Sequence, residues 1–181
     1  MKQISSKQIA YLGLVSALMF VFLLIETFLF RIVFNDLTPA ILTLPFAVAL
    51  SLFLGKKSMF LGGTIFGVCS FVLASIIGNI VFINPLISIL PRILIGVVGY
   101  FAFVLAKKIF KNEIVACSVG GAFGILTNTV CTIFMLWVFN QSALAAVFTT
   151  IMSINFVSEI VGAIILVPVY YKILKRVNKS L

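Results

Sequence analysis

Long apolar runs, separated by short groups of polar or basic residues, occupy almost the whole chain. A helix that crosses the hydrocarbon core of a bilayer, about 30 Å thick, needs about 20 such residues. The pattern predicts six helices, at about residues 9–30, 40–54, 58–77, 86–106, 114–139 and 151–171. The fold class is therefore predicted to be all-α, a single transmembrane domain over residues 1–181 built as an integral membrane six-helix bundle.

Two parts of the chain depart from this simple pattern. Helix 2 is short and contains Pro45, which predicts a kink or a late start. Residues 142–150 precede helix 6 and are predicted to be either an outer loop or an extension of that helix, because about 20 residues counted back from Tyr171 begin near Ile151.

The basic residues predict how the bundle lies in the membrane. With the N-terminus inside, the inner segments carry Lys2, Lys7, Lys56, Lys57, Lys107, Lys108, Lys111, Lys172, Lys175, Arg176 and Lys179. The outer loops then carry only Arg31, as the positive-inside rule requires. A five- or seven-helix count would put a basic cluster outside, so both termini are predicted to be cytoplasmic.

Composition supports a membrane protein and excludes several function classes. The chain is 63% hydrophobic and 9% charged, with a mean hydropathy of +1.31, whereas soluble domains carry about 25% charged residues. The net charge of +9 follows membrane topology, so no nucleic-acid partner is predicted. Histidine is absent and no phosphate-binding loop occurs, so no metal, cofactor or nucleotide hydrolysis is expected. Three cysteines are interpreted as core fillers.

Arg92 is the first candidate for a ligand contact. An arginine near the bilayer centre costs at least about 2.5–3.5 kcal/mol, so it usually faces a cavity or a partner. The alternatives are a snorkelling side chain that reaches the headgroups and an ion pair with Glu159 that joins helices 4 and 6. The candidate binding residues are Arg92, Asn84, Asn128, Thr132, Asn155 and Glu159.

The depths of the polar residues predict a pocket rather than a pore. Arg92 and Glu159 both fall in the outer half of the bundle, about 9 and 12 Å from the outer helix ends at 1.5 Å per residue. The cytoplasmic half has almost no buried charge or amide, whereas a channel needs a polar lining along its whole length. Interhelical bonding by Asn128 and Asn155 is the structural alternative.

Small residues at helical spacing form two faces. Ala10, Gly13 and Ala17 lie on one face of helix 1, and Gly63 and Gly67 lie on one face of helix 3. Such faces allow close approach of another helix, either within the chain or from another subunit.

Taken together, these features resemble the substrate-binding S components of energy-coupling factor (ECF) vitamin transporters, over about residues 8–176. The likeness rests on the six-helix layout, the helix 1 face, Asp36–Pro39 before helix 2, Asn84-Pro85-Leu86 with Pro91-Arg92-Ile93-Leu94, Leu126-Thr127-Asn128-Thr129, and Asn155 with Glu159. It is strongest to pantothenate-type members.

The resemblance implies a multi-pass protein of the bacterial cell membrane that binds a vitamin from outside with high affinity. It implies docking through Ala10, Gly13 and Ala17 onto a transmembrane coupling subunit driven by two cytoplasmic ATPase subunits, although Gly13 stands where the family more often has alanine. The chain itself is then not an enzyme. A structural or assembly subunit without a solute and a small intramembrane enzyme are the alternatives from other classes.

The chemistry of pantothenate fits most of the candidate residues. Arg92 can hold its carboxylate, and Asn128, Thr132 and Asn155 can bond its hydroxyls and amide. Glu159 repels a carboxylate unless it pairs with Arg92 or bonds a hydroxyl. Another vitamin or precursor therefore remains an alternative solute: hydroxymethylpyrimidine, pyridoxine, folate, riboflavin or cobalamin.

Overall fold

The computed structural model describes residues 6–34, 40–79, 82–139 and 142–180, with the side chains of 10–29, 40–79, 82–139 and 155–177. These residues form α1 Ser6–Phe34, α2 Thr43–Leu54, α3 Met59–Ile77, α4 Pro85–Phe110, α5 Glu113–Val138 and α6 Ser142–Ser180. Five of these helices are long and apolar enough to cross a membrane. At 1.5 Å per residue, the 12 residues of α2 reach only about 18 Å. The described chain is an all-helical membrane protein, and the six-crossing topology stays a prediction.

Some helix limits differ from those expected. α1 continues past residue 30 to Phe34 because no glycine or proline stops it there. α2 begins at Thr43, so Pro45 lies in the first turn, where a missing N–H costs no helical hydrogen bond. α6 begins at Ser142, so residues 142–150 extend that helix. Asp36–Pro39 lies outside the described residues.

The short helix α2 occupies the centre of the bundle. Its residues from Thr43 to Leu52 are all buried, and α2 packs against each of the other five helices. A helix that is apolar all round is expected in such a position. Around it, α3, α4, α5 and α6 pack in sequence as neighbours, and α1 packs against α2 and α3.

The N-terminus of α2 is capped by a side chain from another helix. Leu42 stands at the N-cap and has no side-chain acceptor for the first N–H groups. Glu26 of α1, only 2% exposed, accepts instead from the Leu42 N–H, from the Thr43 N–H at 3.2 and 3.3 Å, and from the Thr43 hydroxyl. A carboxylate also suits the positive end of the helix dipole. Glu26 therefore fastens α1 to the start of the central helix.

The small-residue face of α3 packs inside the chain. A Cβ at Gly63 would collide with the backbone carbonyl of Arg92, and one at Gly67 would lie 2.9 Å from the Ile89 Cα. Only glycine at these two positions lets α3 approach α4 at Arg92 this closely. Of the two alternatives, the structure therefore shows the first: Gly63 and Gly67 pack against a helix of the same chain.

A charged cluster marks one end of the bundle. Glu113 at the start of α5 pairs with Lys107 of α4 at 3.2 Å and with Lys175 of α6 at 3.1 Å. The three side chains are about 40–50% exposed, so each pair contributes at most about 1 kcal/mol. These contacts bring together the C-terminal parts of α4 and α6 and the N-terminus of α5.

We expect Glu26→Gln to destabilise the protein by about 1–3 kcal/mol, because the amide offers one acceptor oxygen where the carboxylate offers two. The measurement is the free energy of unfolding in mixed detergent micelles. Glu113→Gln is the matched control, since it makes the same change at a partly exposed position whose ion pairs are screened by solvent, and it should cost less than Glu26→Gln. Equal losses in the two variants would contradict a capping role for Glu26.

Candidate functional site

A cavity of about 140 Å³ lies between the helices. Its polar lining residues are Thr27, Ser70, Asn79, Arg92, Asn128, Thr129, Asn155 and Glu159, and its apolar ones are Leu23, Ala40, Leu44, Phe66, Leu73, Ala74, Ile77 and Phe82. Ala40, Asn79 and Phe82 lie in segments between helices. The other lining residues come from the middle or C-terminal parts of α1, α3 and α5 and the N-terminal halves of α2, α4 and α6. The cavity therefore lies in the half of the bundle opposite to the Glu113 cluster.

Arg92 brings a positive charge into this apolar setting. It is 5% exposed, and its Nη1 donates to the Ile87 carbonyl at 2.8 Å. The guanidinium carbon lies 4.8 Å from the ring centre of Phe82 and 5.6 Å from that of Phe66, within the range of cation–π attraction. Buried in protein and bonded to a backbone carbonyl, Arg92 is not the snorkelling side chain of the alternative interpretation.

The residue before Arg92 explains why that carbonyl is available. Pro91 lies inside α4 and has no N–H, so the carbonyl four residues earlier, that of Ile87, loses its helical donor. An unpaired carbonyl in an apolar interior is costly, and the guanidinium takes the place of the missing N–H. The dipeptide Pro91-Arg92 thus creates a vacant acceptor and supplies the donor that fixes the arginine beside the cavity.

Glu159 is the acidic residue of the same cavity. It is 6% exposed, and its Oε1 accepts from the Ala40 N–H at 3.1 Å. No ion pair within 4.0 Å joins the described side chains of Glu159 and Arg92, so the structure does not contain the direct pair considered as an alternative. The cavity therefore offers a cation and a carboxyl group at separate positions.

The other candidate residues divide into two groups. Asn128, 3% exposed, and half-buried Asn155 line the cavity together with Arg92 and Glu159. Thr132 is fully buried one helical turn beyond Asn128 and is not part of the lining. Asn84 is the N-cap of α4, where its Oδ1 accepts from the Leu86 N–H at 3.0 Å, also outside the lining. Ligand contacts for all of them stay predictions.

Sequence reasoning did not select Phe66, Phe82, Thr27 or Ser70 for the site. Phe66 and Phe82 are two of 19 phenylalanines, and nothing in the sequence separates aromatic side chains that flank an arginine from those that face lipid. Thr27 and Ser70 had a weak signal, since each is a single hydroxyl in an apolar run. Whether each hydroxyl faces the same space as Arg92 depends on how the helices pack, which the sequence alone does not give.

The described residues contain no group of three or more His, Cys, Asp or Glu side chains that could hold a metal ion. Cys69, Cys117 and Cys131 carry free thiols, with Cys117 buried in the core.

Comparison with known proteins bears on these observations. The chain is 28% identical over 188 residues to the pantothenic acid transporter PanT of Lactococcus lactis subsp. cremoris (strain MG1363), and the match covers 92% of each protein. It resembles a pantothenic acid transporter. The resemblance to pantothenate-type proteins inferred from the sequence is thereby confirmed. The prediction of a multi-pass bacterial membrane protein is confirmed as well. No family model matches the chain, and no solved structure gives a significant match.

We expect Arg92 and Pro91 to be energetically coupled. In Arg92→Ala the Ile87 carbonyl loses its donor, whereas in the Pro91→Ala background the new N–H supplies one. Arg92→Ala should therefore cost at least about 1 kcal/mol more in the proline background than in the alanine background. The measurement is a double-mutant cycle of unfolding free energies in mixed micelles. Additive effects of the two substitutions would show that the proline does not set the position of the arginine.

Proposed function

We propose that the chain is the solute-binding subunit, or S component, of an ATP-driven ECF vitamin importer, and that its solute is pantothenate. It would bind the vitamin at high affinity from outside the cell. ATP hydrolysis would belong to two cytoplasmic partner subunits that act through a transmembrane coupling subunit. The similarity to PanT over 92% of both chains supports this proposal.

The observation that carries the proposal is the cavity, whose lining presents a cation and a carboxyl group at separate positions among apolar side chains. Arg92 offers charge-assisted hydrogen bonds to a carboxylate, and Asn128, Asn155 and Glu159 offer acceptors and donors for hydroxyl and amide groups. Leu44, Phe66 and other apolar side chains suit the gem-dimethyl group of pantothenate. All lining residues belong to one half of the bundle, which supports a binding pocket over a continuous pore.

Binding of a vitamin would enlarge the cavity. Its volume of about 140 Å³ lies below the range of about 300–1,000 Å³ that is usual for ligand pockets. Phe82, whose ring faces the Arg92 guanidinium at 4.8 Å, is the aromatic side chain that a carboxylate would displace on reaching Arg92. The ion pair then replaces the cation–π contact.

Glu159 favours a second candidate solute of the same subunit class. It lies in the lining with one oxygen bonded to the Ala40 N–H, so an amine or protonated ring nitrogen would suit it better than a second anion. Hydroxymethylpyrimidine and pyridoxine carry such groups. In the pantothenate proposal, Glu159 instead accepts hydrogen bonds from the hydroxyls at the end of the molecule far from its carboxylate.

The exposed face of α1 is the proposed docking surface for the coupling subunit. Ala10, Gly13 and Ala17 are exposed, and nothing lies within 4 Å of a Cβ built on Gly13. The corresponding small residues of α3 are covered by α4, so α1 is the helix whose small face can accept a partner helix closely.

We expect the purified wild-type protein to bind pantothenate, and Arg92→Ala to weaken that binding at least about 30-fold, since loss of a buried charge partner costs about 2 kcal/mol or more. Calorimetric titration measures the two affinities. In cells that supply the partner subunits, Arg92→Ala should abolish uptake and leave membrane insertion intact. Arg176→Ala, the same change at an exposed position of α6, is the matched control. Wild-type uptake by Arg92→Ala would refute the pocket assignment.

We expect Gly13→Leu or Ala17→Leu to preserve solute binding and to prevent assembly, because a large side chain holds the partner helix away. Affinity purification with a tagged coupling subunit measures assembly. Leu29→Ala, a change at an exposed residue of α1 about three turns beyond Ala17 and about 120° around the helix from it, should leave assembly unchanged. Normal recovery of the complex with either leucine variant would contradict the proposed docking surface.

A further inference from the structure

Four polar atoms between α4 and α5 are buried and have no hydrogen-bond partner among the described residues: Ser88 Oγ, Arg92 Nε, Asn128 Oδ1 and Thr132 Oγ1. The four residues are between 0 and 5% exposed. About nine in ten buried polar groups in proteins are paired, so four unpaired ones on two adjacent helices require a physical reason.

The packing of α4 on α5 shows which residues of the two helices face each other. A Cβ at Gly99 would lie 3.0 Å from the Gly120 carbonyl, and one at Gly120 would lie 2.9 Å from the Gly99 carbonyl. A Cβ at Gly124 would lie 3.3 Å from Ile95 Cγ2, close to one turn further along both helices. The two helices are thus antiparallel, with Gly99 opposite Gly120 and Ile95 opposite Gly124.

Continuing this register places the four polar side chains opposite one another. Residues three and four apart share a helix face, so Arg92 falls opposite Asn128, and Ser88 falls opposite Thr132 one turn further. We call these four residues the α4–α5 row. Arg92 and Asn128 also line the cavity, whereas Ser88 and Thr132 lie beyond its lining, about one turn further along the two helices.

The two hydroxyls of the row differ from other hydroxyls in these helices. A serine or threonine inside a helix commonly donates to the carbonyl four residues earlier. That is what Ser16, Ser51, Thr64, Ser75 and Thr127 do. The hydroxyls of Ser88 and Thr132 make no such bond and remain available to another acceptor.

The chemistry of the row suits an anionic oxygen. Arg92 Nε, Ser88 Oγ and Thr132 Oγ1 are three donors, and a half-turn of the Asn128 amide adds a fourth. A carboxylate accepts up to four hydrogen bonds, and those to its charge are the strongest. We propose that the α4–α5 row is the subsite for the carboxylate end of the solute, and that Ser88 and Thr132 determine its preference for an anion. This inference rests on the proposed function.

The test compares pantothenate with pantothenyl alcohol, in which a primary alcohol replaces the carboxylate. The wild-type protein binds pantothenate more tightly than the alcohol. Ser88→Ala and Thr132→Val each weaken pantothenate about tenfold, as loss of one charge-assisted hydrogen bond predicts. The same variants change binding of the alcohol by less than about twofold, so the ratio of the two dissociation constants narrows.

Ser75→Ala and Thr127→Val are the matched controls, because their hydroxyls donate to their own helices and lie outside the row. Both retain the wild-type ratio, as does Thr132→Ser, which keeps the hydroxyl. The proposal is overturned if Ser88→Ala and Thr132→Val weaken the binding of both ligands equally, which indicates a packing role. It is also overturned if they weaken the binding of neither ligand. If the wild-type protein binds neither ligand, the proposed function fails and the row proposal fails with it.

Discussion

The bond from the Arg92 guanidinium to the Ile87 carbonyl is the interaction on which the arrangement of the site depends. A buried cation and a helix-breaking proline are each costly in an apolar bundle, the proline by about 3 kcal/mol. Side by side they offset one another, because Pro91 leaves a carbonyl without a donor and Arg92 satisfies it at 2.8 Å. Gly63 and Gly67 then let α3 close over this point, which puts Phe66 beside the guanidinium.

The acidic residues of the site depend on the central helix. α2 begins without a side-chain cap of its own, and Glu26 from α1 supplies the acceptors for its first N–H groups. Glu159 from α6 bonds the N–H of Ala40, just before α2. Three helices therefore meet at the start of α2, and that junction holds the carboxyl of Glu159 in the same cavity as Arg92 without pairing the two directly.

The helical membrane architecture could be predicted from the sequence, because uncharged apolar runs of about 20 residues match the thickness of a bilayer core. The cavity residues Arg92, Asn128, Asn155 and Glu159 were also predicted, since charges and amides are rare in such runs. The roles of Glu26 and Pro91 were not, because a cap or a freed carbonyl depends on which backbone groups lack partners. Asn84 illustrates the opposite case: a polar residue beside a motif serves as a helix cap outside the lining.

The most direct test of the central claim, that the buried charge of Arg92 serves an anionic solute, is an experimental structure of the protein with bound pantothenate. The account predicts the carboxylate within hydrogen-bonding distance of the Arg92 guanidinium, Phe82 displaced from its position over Arg92, and the hydroxyl end directed toward Glu159. Pantothenate bound elsewhere, with Arg92 unchanged against Phe82 or paired with Glu159, would contradict it.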